Sequence, residues 1–259
     1  MFKIFLYTFF LLTTTIYTSE LPDEDWFRKH LYDRQEYLCY LEADKEWFAC
    51  DLNNKDSLKK IFKRLLKSHN SIIIPVFPTV YSPGSNLTSD KPYFDTILNR
   101  AEIKENDKVL VVGSGTGADV WAAWLKSKTK VYALDINPIA VANTLATARI
   151  AKFPVNVIEA DITKNELPSD FSDFDFVLWN MPVLNDPENH FNLSVPAEVF
   201  HDGDDGTILN QFLKRLPSLL KKKGKAIIWN TKKAADLVYY NKEIIPHGKF
   251  AVCIIQMTN

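Results

Sequence analysis

The chain has 259 residues, of which 46% are apolar and 24% charged, with 8 Gly and 13 Pro. This composition excludes disordered, collagen-like and low-complexity classes, and the length is enough to bury a substantial core. A formal net charge of −1 gives no overall basic field toward nucleic acid or an anionic membrane. Three cysteines, Cys39, Cys50 and Cys253, are too few for a disulfide scaffold and lack metal-ligand spacing, so no metal site is expected.

Residues 1–19 have the layout of a targeting segment. Lys3 is the only charge before Glu20, and an apolar stretch over 4–12 is followed by Thr13, Thr14 and Thr15. The run is shorter than the roughly 20 apolar residues of a comfortable bilayer span. A cleaved signal peptide, an uncleaved anchor and a hydrophobic N-terminus packed on the domain all fit. The expectation is an exported or membrane-anchored chain, with the domain facing the cytosol if the segment is an uncleaved anchor.

Residues 20–70 are expected to form a helical extension. Trp26, Phe27, Leu31, Tyr37, Leu38 and Leu41 recur at helical spacing over 25–41. A second helix fits 56–69, with Leu58, Ile61, Phe62, Leu65 and Leu66 on one face. Lys59, Lys60, Lys63, Arg64 and Lys67 form the other, read as a solvated face. The apolar run 72–78 contains Pro75, which restricts it to a loop or edge strand.

From Lys108 onward, short apolar runs alternate with helical segments. Strands are expected over 109–112, 130–134, 155–159, 174–179, 226–229 and 251–256, and helices over 118–126, 138–151 and 206–222. This alternation predicts an α/β domain over 71–259, with a mostly parallel sheet covered on both faces. Lys221, Lys222 and Lys223 read as the basic C-terminus of the last helix, just before Gly224.

The first strand runs into Gly113-Ser-Gly115-Thr-Gly117 and then a helix. Glycine permits positive φ and close backbone approach, and a helix start presents unpaired N–H groups. Asp135 ends the second strand, where a carboxylate can accept from both hydroxyls of a ribose. These two features also suit a dinucleotide enzyme. Ala118, however, stands where that fingerprint has its third glycine, and two further polar stations follow: Glu159-Ala-Asp161-Ile162 and Asn180-Met181-Pro182-Val183. Polar groups after four successive strands face the carboxyl edge of the sheet, where open α/β folds bind ligands.

On the combination of VLVVGSGTG (109–117), ALDINPIAVANT (133–144), EADI (159–162), FDFVLWNMPV (174–183) and DGDDG (202–206), the chain from about Ile72 onward resembles the class I S-adenosylmethionine-dependent methyltransferases. It looks most like the branch with an Asn-Pro-Pro-aromatic motif, which includes the HemK-like glutamine methyltransferases and the small-domain rRNA guanine N2-methyltransferases. The resemblance implies a Rossmann-like sheet with an antiparallel strand near the C-terminus. It implies S-adenosylmethionine as cofactor, and methyl transfer to a nitrogen or other nucleophile of a small-molecule or protein acceptor. An rRNA acceptor is disfavoured by the near-neutral charge. The alternative from another class is an exported methyltransferase fold that binds without catalysing.

By the same resemblance, Gly113, Gly115 and Gly117 pass under the methionine and ribose parts of the cofactor, and Asp135 holds the ribose. Ile136 and Ile162 flank the adenine, Asp161 accepts from its amino group, and residues 88–90, with Asp90, close over the methionyl end. Helix caps or solvated strand ends are the structural alternative for the three aspartates. Asn180 borders the cofactor and is implied to be catalytic. Its side-chain oxygen and the Met181 carbonyl would accept the acceptor's N–H bonds, with Pro182 shaping the site. Val111 stands where the family carries an acidic residue and Val183 where it carries an aromatic one. Asp90 could replace the former, and Phe77, Tyr81, Phe191 or Phe200 the latter. His190 and His201 are candidate general bases. Asn86 and Asn192 begin glycosylation sequons. Cys39 and Cys50 fit either a disulfide or buried thiols, and Cys253 fits the core.

Overall fold

Runs such as VLVV and FDFVLWN carry apolar side chains at successive positions, so both faces of the strands they form must be covered. The computed structural model describes residues 36–41, 46–51, 72–77, 80–81, 91–164, 166–181 and 206–257. The targeting-like residues 1–19, the expected helix over 56–69 and the two sequons lie outside the described residues, as do Asp90, Pro182, Val183, His190, Phe191, Phe200 and His201.

The elements in chain order are strands β1 (Glu36–Leu41), β2 (Glu46–Asp51) and β3 (Ile72–Pro75), then helix α1 (Lys91–Asp95), which continues into a π-helical turn, Thr96–Arg100. Next come β4 (Val109–Val112), α2 (Ala118–Ser127), β5 (Val131–Asp135), α3 (Pro138–Ala151), β6 (Val155–Glu159) and β7 (Phe174–Asn180). The chain ends with α4 (Thr207–Leu219), β8 (Leu220–Thr231), α5 (Lys232–Leu237), β9 (Lys242–His247) and β10 (Phe250–Gln256). Seven strands form one sheet in the order β6-β5-β4-β7-β8-β10-β9. The pairs from β6 through β8 are parallel, and β10 runs antiparallel between β8 and β9. The expected mostly parallel sheet with an antiparallel C-terminal strand is the sheet found.

Strand alternation sorts the core into two layers. Val109, Val111, Leu178, Ile227 and Trp229 pack with α1, α2 and α3 on one face. Leu110, Val112, Val177, Trp179 and Ile228 pack with α4 and α5 on the other. On α4 the buried residues Leu209, Phe212, Leu213 and Leu216 recur at helical spacing, which turns a single apolar stripe onto the sheet. Each such side chain contributes about 1.5–3 kcal/mol when fully buried.

Three polar ties complete the scaffold. Asn143, fully buried on α3, accepts the Phe77 N–H (2.8 Å) and donates to the Pro75 carbonyl (2.9 Å). It thereby fixes the exit of β3 to the helix. Pro217 inside α4 has no N–H for the carbonyl one turn earlier, Leu213, and the Tyr240 hydroxyl donates to that carbonyl instead (3.1 Å). Burial, with Tyr239 beside it, pushes the Tyr240 phenol up to about 12. Lys242 on β9 donates to the carbonyls of Ala235, Asp236 and Val238 and so closes the C-terminus of α5.

Two expectations are corrected. Residues 36–41 are a strand, not the end of a helix; β1 lies between β2 and β3 in an antiparallel three-stranded sheet. Short aromatic-rich apolar runs such as EYLCYL satisfy both periodicities, and pairing with EWFACD decides in favour of the strand. Its register sets Cys50 opposite Tyr37 and Cys39 opposite Phe48, so the two cysteines are not a facing pair. Pro75 lies in an edge strand, as expected. Lys221, Lys222 and Lys223 do not end a helix: α4 stops at Leu219, two residues after Pro217, and the lysines lie in β8. There Lys221 pairs with Asp175 at 2.8 Å.

The Tyr240→Phe variant is expected to lose about 1–2 kcal/mol of stability, because the Leu213 carbonyl is left without a donor. Urea unfolding measures this, and an unchanged midpoint would show that the tie contributes nothing.

Candidate active site

The order of the sheet locates the site. From β4 the chain steps outward through β5 to β6, then returns to place β7 on the other side of β4. The carboxyl ends of β4 and β7 therefore border a crevice, the position where such sheets take ligands. Gly113 follows β4 and Asn180 ends β7.

The glycine turn is held from two sides. From β5, Asp135 accepts the Gly115 N–H on one oxygen and the Asn137 N–H on the other, both at 2.9 Å. From α3, the Thr144 hydroxyl donates to the Gly115 carbonyl (3.2 Å) and accepts from the Ser114 hydroxyl (2.9 Å), and the Thr147 hydroxyl donates to the Thr116 carbonyl (2.6 Å). Gly117 has φ of 81°, and a Cβ there would lie 3.1 Å from both Thr144 Cα and Thr147 Cβ. Gly115, at φ 50°, faces open space instead, its nearest atom 3.9 Å away. The last glycine thus serves packing on α3, while the middle one leaves room above the turn.

Asp135 is only 8% exposed. Burial pushes its carboxyl up to about 6, against the opposing pull of the Asn137, Gly115 and Ile136 N–H groups. Each oxygen keeps a lone pair beyond its backbone bond. Beside it, Ile136 leaves 64% of a large apolar side chain exposed. At the end of β6, Asp161 accepts from the Thr163 N–H (2.8 Å) and hydroxyl (2.6 Å) on one oxygen and pairs with Lys164 (3.0 Å) on the other. Partial burial pushes its carboxyl up, but Thr163 and Lys164 together hold it below the usual range. Ile162 is buried. Three stations therefore lie in a row at the carboxyl ends of β4, β5 and β6: a glycine turn with open space, a carboxylate with a neighbouring exposed apolar surface, and a second carboxylate. That donor and acceptor set fits a ribose and a base with an exocyclic amine.

Asn180 is half-buried, and its side chain meets no hydrogen-bond partner among the described residues. Met181 behind it is anchored through its N–H to the Trp229 carbonyl (3.3 Å). Val111 is fully buried in the apolar layer and supplies no charge to the crevice. Phe77 is buried and Tyr81 half-buried. Asn143, Thr144 and Thr147 were not legible as site residues from the sequence; the one signal was three polar residues close together in the otherwise apolar stretch 139–148.

A family model described as "Methyltransferase domain" matches residues 103–249. A protein of Methanocaldococcus jannaschii named "Putative protein N5-glutamine methyltransferase" is 32% identical over 157 residues, covering 59% of this chain and 73% of that protein. The human methyltransferase HEMK2 is 32% identical over 129 residues, which cover 48% of this chain and 59% of HEMK2. Among solved structures, the T. thermophilus 16S rRNA N2 G1207 methyltransferase RsmC, in complex with AdoMet and guanosine, shares the fold at 13% identity. The TM-score is 0.55, covering 72% of this chain and 47% of RsmC. A ribosomal protein L11 methylase of Lactobacillus delbrueckii does so at 16% identity and a TM-score of 0.50, covering 70% of this chain and 82% of the methylase. The chain belongs to the class I S-adenosylmethionine-dependent methyltransferases. Within them it stands in the HemK-like branch, and it is an enzyme that uses S-adenosylmethionine.

Because the Asp135 carboxyl binds its proton more tightly in the folded chain, its contribution to stability is complete below its unfolded value near 4. That contribution is lost as pH rises through about 6. In the unliganded protein, the stability difference between wild type and Asp135→Asn should therefore shift toward wild type by about 2 kcal/mol from pH 7 to pH 4.5. Urea unfolding of both proteins at the two pH values tests this. A constant difference would contradict the burial assigned to Asp135.

Proposed function

We propose that the enzyme methylates an amide nitrogen, the side chain of a glutamine in a protein acceptor, and that the sequence-derived residues of the crevice hold the cofactor. The observation that carries this reading is Asn180, a carboxamide at the end of β7 with no hydrogen-bond partner among the described residues, one strand away from the glycine turn. The name of the M. jannaschii relative supports the acceptor class.

In this reading Gly113, Gly115 and Gly117 underlie the methionine and ribose, and the remaining lone pairs of Asp135 take the two ribose hydroxyls. Ile136 lies against the adenine. Asp161, held by Thr163 and Lys164 just past β6, is assigned to the exocyclic amine of the adenine. Ile162 supports the pocket from below. Asp90 and Pro182 keep their expected roles, at the methionyl end and in shaping the acceptor site. When bound, the cofactor supplies a methyl group on a sulfonium, open to in-line displacement.

An amide nitrogen is a poor nucleophile because its lone pair is delocalised into the carbonyl. Asn180 Oδ1 and the Met181 carbonyl, each accepting one N–H of the acceptor, orient the nitrogen toward the methyl and favour the pyramidal form whose lone pair can attack. This is catalysis by positioning. A net charge of −1 supports a protein acceptor over RNA, because phosphate neutralisation supplies much of an RNA-binding protein's affinity.

The Asn180→Ala variant should lower kcat for methyl transfer to a glutamine-containing peptide about 100-fold or more, in the range of losing an oriented hydrogen-bonding group in a reaction centre. Tritium transfer from labelled S-adenosylmethionine, with the product located by mass spectrometry, measures this. A variant with wild-type kcat, or label on a residue other than glutamine, would overturn the acceptor reading.

A further inference from the structure

Trp179 immediately precedes Asn180 and pairs across the sheet with Val112, the last residue before Gly113. Its side chain is 4% exposed and is held edge-on against Phe212 of α4, with ring centroids 4.6 Å apart. A Cβ built on Gly113 would lie 3.1 Å from its indole Nε1, so the polar edge of the ring sits directly beside the first glycine's missing side chain. An indole N–H is a donor only. No acceptor engages this one among the described residues.

The first and middle glycines of the turn therefore face opposite chemistry. At Gly115 stands the Asp135 carboxylate, an acceptor suited to hydroxyls and repulsive to an anion. At Gly113 stands an unspent donor in a mostly dry setting, where hydrogen bonds to charged acceptors are strongest. A ligand whose ribose lies at Asp135 extends its amino-acid end toward Gly113, and the anionic group on that end is a carboxylate.

We propose that Trp179 contacts the cofactor, its indole N–H donating to a carboxylate oxygen of the methionyl end. This rests on the assignment of the ribose to Asp135 in the preceding section.

The test compares two ligands on the full chain by calorimetry: S-adenosylhomocysteine, which carries the carboxylate, and methylthioadenosine, which lacks the amino-acid group. Trp179→Phe keeps an aromatic ring at the position and removes the donor. The substitution should weaken S-adenosylhomocysteine about tenfold, the scale of one charge-assisted hydrogen bond, and leave methylthioadenosine within about twofold. In proton–nitrogen spectra of the wild type, the indole resonance of Trp179 should move downfield with S-adenosylhomocysteine and stay in place with methylthioadenosine. This second measurement decides the matter even if the variant does not fold. Equal weakening of both ligands, no weakening of either, or an indole signal unmoved by S-adenosylhomocysteine would overturn the proposal. A wild type that binds neither ligand would instead sink the underlying site assignment.

Discussion

Asp135 is a carboxylate almost sealed from water, and the carboxyl edge of the sheet is organised around it. It joins the end of β5 to the turn after β4 through the Gly115 N–H and to the start of α3 through the Asn137 N–H. A charge in that position is unfavourable in isolation, which is why its affinity for a proton is raised. The backbone N–H groups offset part of that cost, and ligand hydroxyls would offset more. A group that is strained without its ligand and relieved with it is a natural place for binding energy to act.

The arrangement depends on α3 as much as on the sheet. Asn143, Thr144 and Thr147 lie within five residues of one another and hold two separate stretches of chain. Thr144 and Thr147 hold the glycine turn, and Asn143 holds the exit of β3. All three are fully buried, so each lost hydrogen bond would leave a polar group without solvent to replace its partner. The helix therefore sets the distance between the glycine turn and the segment arriving from the small N-terminal sheet. Gly117 completes the contact, since a Cβ there would crowd α3 at 3.1 Å on a left-handed backbone.

What the sequence made legible follows from how each feature is encoded. The strands and helices from β4 to β7 were readable almost to the residue because apolar runs, glycines and Pro138 mark their ends locally. Gly113, Asp135, Asp161 and Asn180 could be placed at the carboxyl edge because each ends a strand or follows one within two residues, and parallel strands deliver their ends to one edge. Residues 36–41 were misread as helix because both periodicities suit so short a run, and only pairing with β2 and β3 decides between them. The end of α4 was placed too late because the helix survives Pro217 by only two residues, through a hydroxyl donated from Tyr240 far along the chain. Strand β9 and helix α5 were missed: KEIIPH carries a proline, and α5 is a six-residue helix closed by Lys242 from another element. Trp179 and Asn143 act through contacts distant in sequence, which no local pattern announces.

One departure from the family pattern keeps its physical meaning in the folded chain: Val111 is fully enclosed by the apolar layer, so an ammonium group on the cofactor must find its acceptor elsewhere. The central claim is that Asp135 is the ribose-holding group of a functional cofactor site. Calorimetric titration of S-adenosylmethionine into the wild type and Asp135→Ala tests it most directly. The account predicts micromolar binding by the wild type and a loss of at least about a hundredfold in the variant, the scale of two hydrogen bonds to a charged acceptor. Equal affinity in the two proteins, with the variant folded, would contradict it.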